Sequence, residues 1–181
     1  MKPSQTEIRL SGLGGQGVIL AGMIIGRAAS IYADKHATLI QSFGPEARGS
    51  ACSAELIVAD KSVLYPYVKK AKILVALSNE GYHKYRPLLA DDGLLLVEED
   101  LVRLDPHETC KVFKCPATRL AEELGRKIVL NIAMVGFFAA VTKLVDREAF
   151  AKSVEASVPE HMKDLNLKAF HKGYEWGLTL V

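Results

Sequence analysis

Excess charge of either sign is missing from this 181-residue chain, in which 23 Lys and Arg stand against 21 Asp and Glu for a formal net charge of +2. The basic residues come in small groups (Lys69, Lys70, Lys72; Arg126, Lys127) among acidic neighbours. The concentrated basic stripe of a nucleic-acid surface is therefore absent. Long apolar runs are missing too: the longest, 128–141, falls short of the roughly 20 residues that cross a bilayer and carries Asn131. It reads as a buried helix, so neither nucleic acid nor membrane is expected as a partner. Residues 1–7 are polar, without the apolar segment of a secretory signal, and a cytoplasmic location is the expectation.

Cysteine is scarce, at Cys52, Cys110 and Cys115. An odd count in this context argues against a disulfide framework. The 110–115 spacing is wrong for a zinc knuckle, and three thiolates cannot complete four-cysteine ligation of an iron–sulfur cluster. They read as small buried or half-buried thiols. No Walker lysine, no Gly-Asp-Gly…Asn-Asn thiamine signature and no Ser/His/Asp or Cys/His arrangement stands out. Of the five histidines, His83, His161 and His171 fall on predicted helices among Lys and Glu, the setting of solvated imidazoles. No catalytic residue and no metal ligand is assigned.

What is present is a folded composition, 49% hydrophobic and 24% charged, of a length that fits one α/β domain over residues 1–181. Hydrophobic patterning predicts strands over 8–11, 36–43, 51–59, 72–77, 94–97 and 111–113, and helices over 16–32, 79–89, 117–124, 131–144, 147–157 and 160–173. The alternation implies a Rossmann-like fold: a mostly parallel sheet with helices on both faces and a helical C-terminus. Strand 51–59 follows its predecessor after a loop too short for a helical crossover, so it is expected to run antiparallel, making the sheet mixed. Gly22 and Gly26 lie four apart on one helix face and imply close packing against the chain's own sheet or another subunit. The stretch "NIAMVGFFAAV", 131–141, is apolar nearly all round, the pattern of a central core helix ahead of a subunit contact, and Gly136 again implies close approach.

Two glycine-rich corners carry the functional reading. In "GLGGQG", residues 12–17, Gly12, Gly14 and Gly17 satisfy G-x-G-x-x-G between a strand and a helix, where free backbone N–H groups favour an anion. A dinucleotide site also needs an acidic side chain near the end of the second strand for the ribose, and Gln41, Ser42 and Phe43 stand there instead. An NAD role is thereby weakened, leaving a phosphate-sized anion site or a tight packing turn. Gln16 has an amide to offer a ligand or a neighbouring chain. The second corner, "SFGPEARGS" at 42–50, sets Glu46 and Arg48 among Gly44, Pro45 and Gly49. It is either an ion pair bracing a turn or a cation projecting toward 14–17 at the carboxyl edge of the sheet, where the two corners would form an electropositive crevice.

These residues resemble the gamma subunit of the 2-oxoacid:ferredoxin (acceptor) oxidoreductases. The resemblance rests on "SGLGGQGVILAG" at 11–22, "QSFGPEARGS" at 41–50, "ILVALSNEGYHKY" at 73–85, "NIAMVGFF" at 131–138 and "NLKAFHKGYEWG" at 166–177, in order over nearly the whole chain, most like the stand-alone subunit of 2-oxoglutarate-type enzymes. It implies a subunit, inactive alone, of a complex that converts a 2-oxoacid and coenzyme A to acyl-CoA, carbon dioxide and two electrons for ferredoxin. Alpha and beta subunits, with or without a delta subunit, would hold the thiamine diphosphate, magnesium and iron–sulfur cluster. Carried over by motif, with Ala47 inside the second signature, the cofactor-binding candidates are Gly12, Gly14, Gly15, Gln16 and Gly17, then Ser42, Gly44, Pro45, Glu46, Arg48 and Gly49, as loops that close over coenzyme A or support the thiamine site. Ser50 departs from the second glycine common in the family. The rivals are the smaller subunit of indolepyruvate:ferredoxin oxidoreductase and, from another class, a nucleotide-binding sensor or scaffold without redox chemistry. The isolated chain is further expected to pair as a homodimer through apolar surface meant for other chains.

Overall fold

The computed structural model describes residues 5–43 and 51–181. Strands β1 (Gln5–Leu13), β2 (His36–Ser42), β3 (Ala51–Ala59), β4 (Ala71–Ala76), β5 (Leu89–Glu98) and β6 (Lys111–Cys115) form one sheet in the order β2-β3-β1-β4-β5-β6. β3 runs antiparallel to both neighbours, while β4, β5 and β6 follow β1 in parallel. The antiparallel placement expected for 51–59 is thus observed, and its cause is the short connection that precedes it.

Helices α1 (Val18–Tyr32), α3 (Ala117–Glu122), α4 (Leu130–Thr142), α5 (Arg147–Glu155) and α6 (Lys163–Leu178) share one apolar core with the sheet. Helix α2 (Asn79–Tyr85) covers the opposite face. Alternation along β4 serves both layers: Ile73 and Val75 join the larger core, Leu74 and Ala76 the smaller, as a central parallel strand requires. Leu130 through Ala140 are all buried, which makes α4 the core helix. Apolar side chains are exposed elsewhere, among them Ile31, Leu64 and Ile128. The close approach read from Gly22 and Gly26 is to the chain's own sheet, since a Cβ on Gly22 would lie 2.7 Å from that of Ala54.

Three of the boundaries that differ from the sequence reading have a clear physical cause. Helix 79–89 ends at Tyr85, because Pro87 lacks the N–H that would continue it, and a single 3-10 turn, Arg86–Leu88, leads into β5. β5 in turn begins at Leu89, and its Asp91-Asp92-Gly93 stretch is a register irregularity against β4 within the strand. The last helix does not stop at Gly173. It runs through Gly173 and Gly177 because these glycines face α4: a Cβ on Gly173 would fall on the Ala133 carbonyl, and one on Gly136 on the Phe170 carbonyl.

The short apolar strand read over 8–11 hides a buried charge. The Arg9 Nη2 donates to Glu55 Oε1 at 3.0 Å and to the Val68 carbonyl at 2.9 Å, and the guanidinium stacks 5.0 Å from the Tyr85 ring centre. Arg9 and Glu55 are direct cross-strand partners on β1 and β3. α2 is tied down on the same side by Glu108, which accepts from Arg86 Nε at 2.7 Å, from the Tyr82 hydroxyl at 2.8 Å and from the Cys110 amide at 3.1 Å. The Arg86 guanidinium, ahead of the other donors, holds the Glu108 carboxyl far below its ordinary value of 4.5.

Two predictions follow from this packing. Gly173→Ala must push α4 and α6 apart and is expected to cost about 2–3 kcal/mol in urea unfolding, whereas Lys168→Ala on the exposed side of α6 stays within about 0.5 kcal/mol. A carboxyl whose pKa is depressed by folding adds stability that is complete above its unfolded value and lost as pH falls below it. Glu108→Gln is therefore expected to be less stable than the parent at neutral pH and to show a flatter loss of stability below about pH 4.5 in unfolding curves taken at stepped pH.

Candidate functional site

The glycine turn sits at the carboxyl rim of the sheet, between the end of β1 and the start of α1. Gly15 and Gly17 have φ of +98° and +71°, left-handed conformations that a side chain would strain. Gly12 lies inside β1 opposite Cys52, where a Cβ would come within 2.6 Å of Gln16 Oε1. Gly14 is half-buried and Gly15 exposed.

Gln16 fixes this corner. Its Oε1 accepts the Leu13 amide at 2.6 Å, its Nε2 donates to the Leu77 carbonyl at 2.8 Å, and its own backbone amide bonds the Leu13 carbonyl at 3.1 Å. The side-chain amide read as available to a ligand or a neighbouring chain is instead engaged within the molecule, because it bridges the end of β1 to Leu77, the residue that follows β4.

Asn131, singled out only as a polar interruption in an apolar run, proves to be the turn's second support. It is 3% exposed, and its Nδ2 donates to the Gly17 carbonyl at 3.2 Å. A Cβ on Gly17 would strike that carboxamide. The signal in the sequence was the lone amide itself: a buried polar group among apolar neighbours needs a partner, and here the partner is the turn.

Helix α1 starts at Val18 with Gly17 as its cap residue and no capping side chain. Its first turn has no capping side chain and the positive end of its dipole favours an anion there, although Val18 itself is buried. Beside it opens a cleft of about 260 Å³ lined by Gly15, Gly17, Leu20, Ile128, Asn131 and Asn166, among others. A second depression, of about 330 Å³, lies between α2 and residues 105–108. Its principal charges, Arg86 and Glu108, are already committed to each other, which makes the cleft beside the turn the better candidate.

Of the second corner, Ser42 is exposed at the end of β2, level with Ser53 of β3, which in turn pairs Ser11 of β1. Ala51 pairs Leu13. The flanks of the segment therefore emerge at the same rim as the glycine turn. Gly44, Pro45, Glu46, Ala47, Arg48 and Gly49 lie outside the described residues, and so does the expected crevice between Arg48 and the turn. β3 stands between β2 and β1, which moves the end of β2 one strand further from the turn than in a sheet where the two are adjacent.

The three cysteines are free, Cys52 and Cys115 buried and Cys110 half-buried. Burial is the main cause that pushes the Cys110 thiol up to about 11. Among the described residues no group of three His, Cys, Asp or Glu is placed to hold a metal ion, and no helix is long and apolar enough to cross a membrane. His83 and His161 are exposed as expected, but His171 is half-buried against Arg147 and Phe170. Burial first, then the Arg147 charge, lowers its pKa.

Residues 7–176 match the family described as pyruvate ferredoxin/flavodoxin oxidoreductase. The chain is similar to the 2-oxoglutarate synthase subunit KorC of Methanocaldococcus jannaschii, 47% identical over an alignment of 172 residues that covers 93% of this chain and 92% of that one. It is 42% identical to the subunit of the same name from Methanothermobacter thermautotrophicus, over 93% of each chain. Among solved structures it resembles the gamma subunit of a keto/oxoacid ferredoxin oxidoreductase from Geobacter sulfurreducens, with a TM-score of 0.85 and 42% identity over 96% of this chain and 99% of that one.

The two turn glycines separate backbone strain from packing. Gly15→Ala, with open space around its Cβ, is expected to cost about 1–2 kcal/mol from the left-handed backbone alone. Gly17→Ala adds the collision with Asn131 and is expected to cost at least about 1 kcal/mol more, measured as the difference between the two variants in urea unfolding.

Proposed function

Because the chain belongs to the pyruvate ferredoxin/flavodoxin oxidoreductase family, as a gamma-type subunit of a heteromeric 2-oxoacid:ferredoxin oxidoreductase, we propose that its work there is to present an anion-binding corner to coenzyme A. The reaction of the complex is the conversion of a 2-oxoacid and coenzyme A to acyl-CoA and carbon dioxide, with two electrons passed to ferredoxin. The observation that carries this reading is the uncapped start of α1 behind a rigid glycine turn. A phosphate or pyrophosphate accepts hydrogen bonds from such a helix start and is favoured by its dipole. The apolar wall of the adjoining cleft suits the less polar arm of the same molecule.

On this reading Gly14, Gly15 and Gly17 bring backbone close to the ligand, Gly12 and Gln16 hold the turn, and Ser42, Gly44, Pro45, Glu46, Arg48 and Gly49 close the rim with one guanidinium. Alpha and beta subunits, with or without delta, supply the thiamine diphosphate, magnesium and iron–sulfur cluster. The 2-oxoacid is 2-oxoglutarate, which the names of the KorC relatives support. Residues 1–181 act as one domain, in the cytoplasm.

The test is to tag the chain in its own host and to isolate it both alone and with its partners. The chain alone is expected to be colourless and inactive with any 2-oxoacid. The complex is expected to be brown, to contain thiamine diphosphate and to reduce ferredoxin with 2-oxoglutarate and coenzyme A, with Arg48→Ala raising the KM for coenzyme A about tenfold or more. A chain that returns without coloured partners, or that binds a nucleotide by itself in the absence of any complex, would contradict the reading.

A further inference from the structure

We propose that β2 is the edge on which two copies of this chain join, antiparallel across a two-fold axis at Leu39, so that their six-stranded sheets become one continuous sheet. The proposal stands apart from the coenzyme A reading and uses a different part of the molecule.

A strand at the end of a sheet presents a row of unpaired N–H and C=O groups, and chains protect such edges with lysine, proline, a bulge or a covering element. The two ends of this sheet are treated differently. β6 carries Lys111 and Lys114, and α6 closes over it, the Trp176 indole Nε1 donating to the Lys114 carbonyl at 3.0 Å. β2 has none of these devices. Residues 36–43 contain no Asp, Glu, Lys, Arg, Pro or Gly. The strand pairs with β3 along its whole length without a bulge, and among the described residues no strand lies beyond it.

The surface beside this edge is apolar. A depression of about 220 Å³ separates β2 from α1, lined by Met23, Ile31, Ala37 and Leu39, among others. Met23, Ile31 and Phe43 are exposed. Gly22 and Gly26 set α1 down on Leu39, Ala54 and Leu56, which brings Met23, the residue after Gly22, near the middle of the edge.

Charge and topology select the occupant. A two-fold axis sets a patch against its own copy, so any charge at its centre would meet its like. Self-pairing here sets Leu39 against Leu39, Thr38 against Ile40, Ala37 against Gln41 and His36 against Ser42, and no two like charges are opposed. The nearby cations are engaged within the chain: Arg27 Nη1 donates to the Ala156 carbonyl at 2.8 Å, and Lys35 pairs with Asp60 at 2.6 Å. Joining β2 head-to-tail to β6 of the next copy would extend without closing, and the two lysines and the Trp176 contact oppose it. The same edge of a second copy is the uncharged, open edge that fits. A two-fold axis normal to the sheet also brings both α1 helices side by side on one face, with Met23 toward Met23.

The experiment is sedimentation of the full chain over a range of concentrations, with hydrogen exchange read on the same samples. A dimer is expected, in which backbone amides of 36–42 exchange about tenfold or more slowly than in the diluted monomer while those of 111–115 are unchanged. Met23→Lys and Met23→Glu are each expected to weaken dimerisation about tenfold or more, and mixing the two variants to restore it as a heterodimer. A monomer at every concentration overturns the proposal. So does a dimer that ignores both Met23 variants and leaves 36–42 exchanging freely, since that dimer joins elsewhere. Protection of 36–42 that arises only when other subunits of the complex are added assigns the edge to one of them and overturns it as well.

Discussion

One side chain carries the geometry of the site: the Gln16 carboxamide, which takes the Leu13 amide on one side at 2.6 Å and gives a hydrogen to the Leu77 carbonyl on the other at 2.8 Å. Leu13 ends β1 and Leu77 follows β4, just beyond the last registered pair of those two parallel strands, Ser11 and Ala76. Satisfying them with one planar amide keeps β1 and β4 together up to the rim and forces the intervening chain into the tight corner that Gly15 and Gly17 permit. A loop left to itself at this place would be mobile and its N–H groups unaimed. The corner is instead bonded to β1, to the residue after β4 and to α4.

The rest of the fold extends that rigidity away from the rim. α4 lies buried from Leu130 to Ala140, touches the turn through Asn131 and meets α6 with glycine against carbonyl. These features stiffen the chain at the turn, the place proposed to meet a ligand. Such stiffness suits a subunit of a heteromeric oxidoreductase whose proposed duty is to hold and present, with the reacting groups proposed to lie on its partners.

Much of this was legible in the sequence, and the exceptions have physical causes. Alternation and turn residues located all six strands, and the short 43–50 connection foretold the reversed direction of β3. The helix predicted over 79–89 ends at Tyr85, because Pro87 has no N–H with which to continue it. α6 was cut short at Gly173 because a glycine in a helix reads as a terminus, and only the packed structure shows that the helix is continuous with the glycine facing α4. Arg9 was absorbed into an apolar strand, since its partner Glu55 lies on a different strand and no local pattern joins them. Asn131 was visible as an oddity, but its target is 114 residues away, and separations of that kind are set by topology. Sequence also could not say that β3 would stand between β2 and β1, which decides how far the end of β2 lies from the turn.

The account is tested most directly by a structure of the assembled complex with coenzyme A bound. It predicts that phosphate oxygens of coenzyme A lie within hydrogen-bonding distance of backbone N–H groups in residues 15–19, with the Asn131 bond to Gly17 intact. Coenzyme A held wholly by other subunits, with the start of α1 buried against a partner chain, would contradict it.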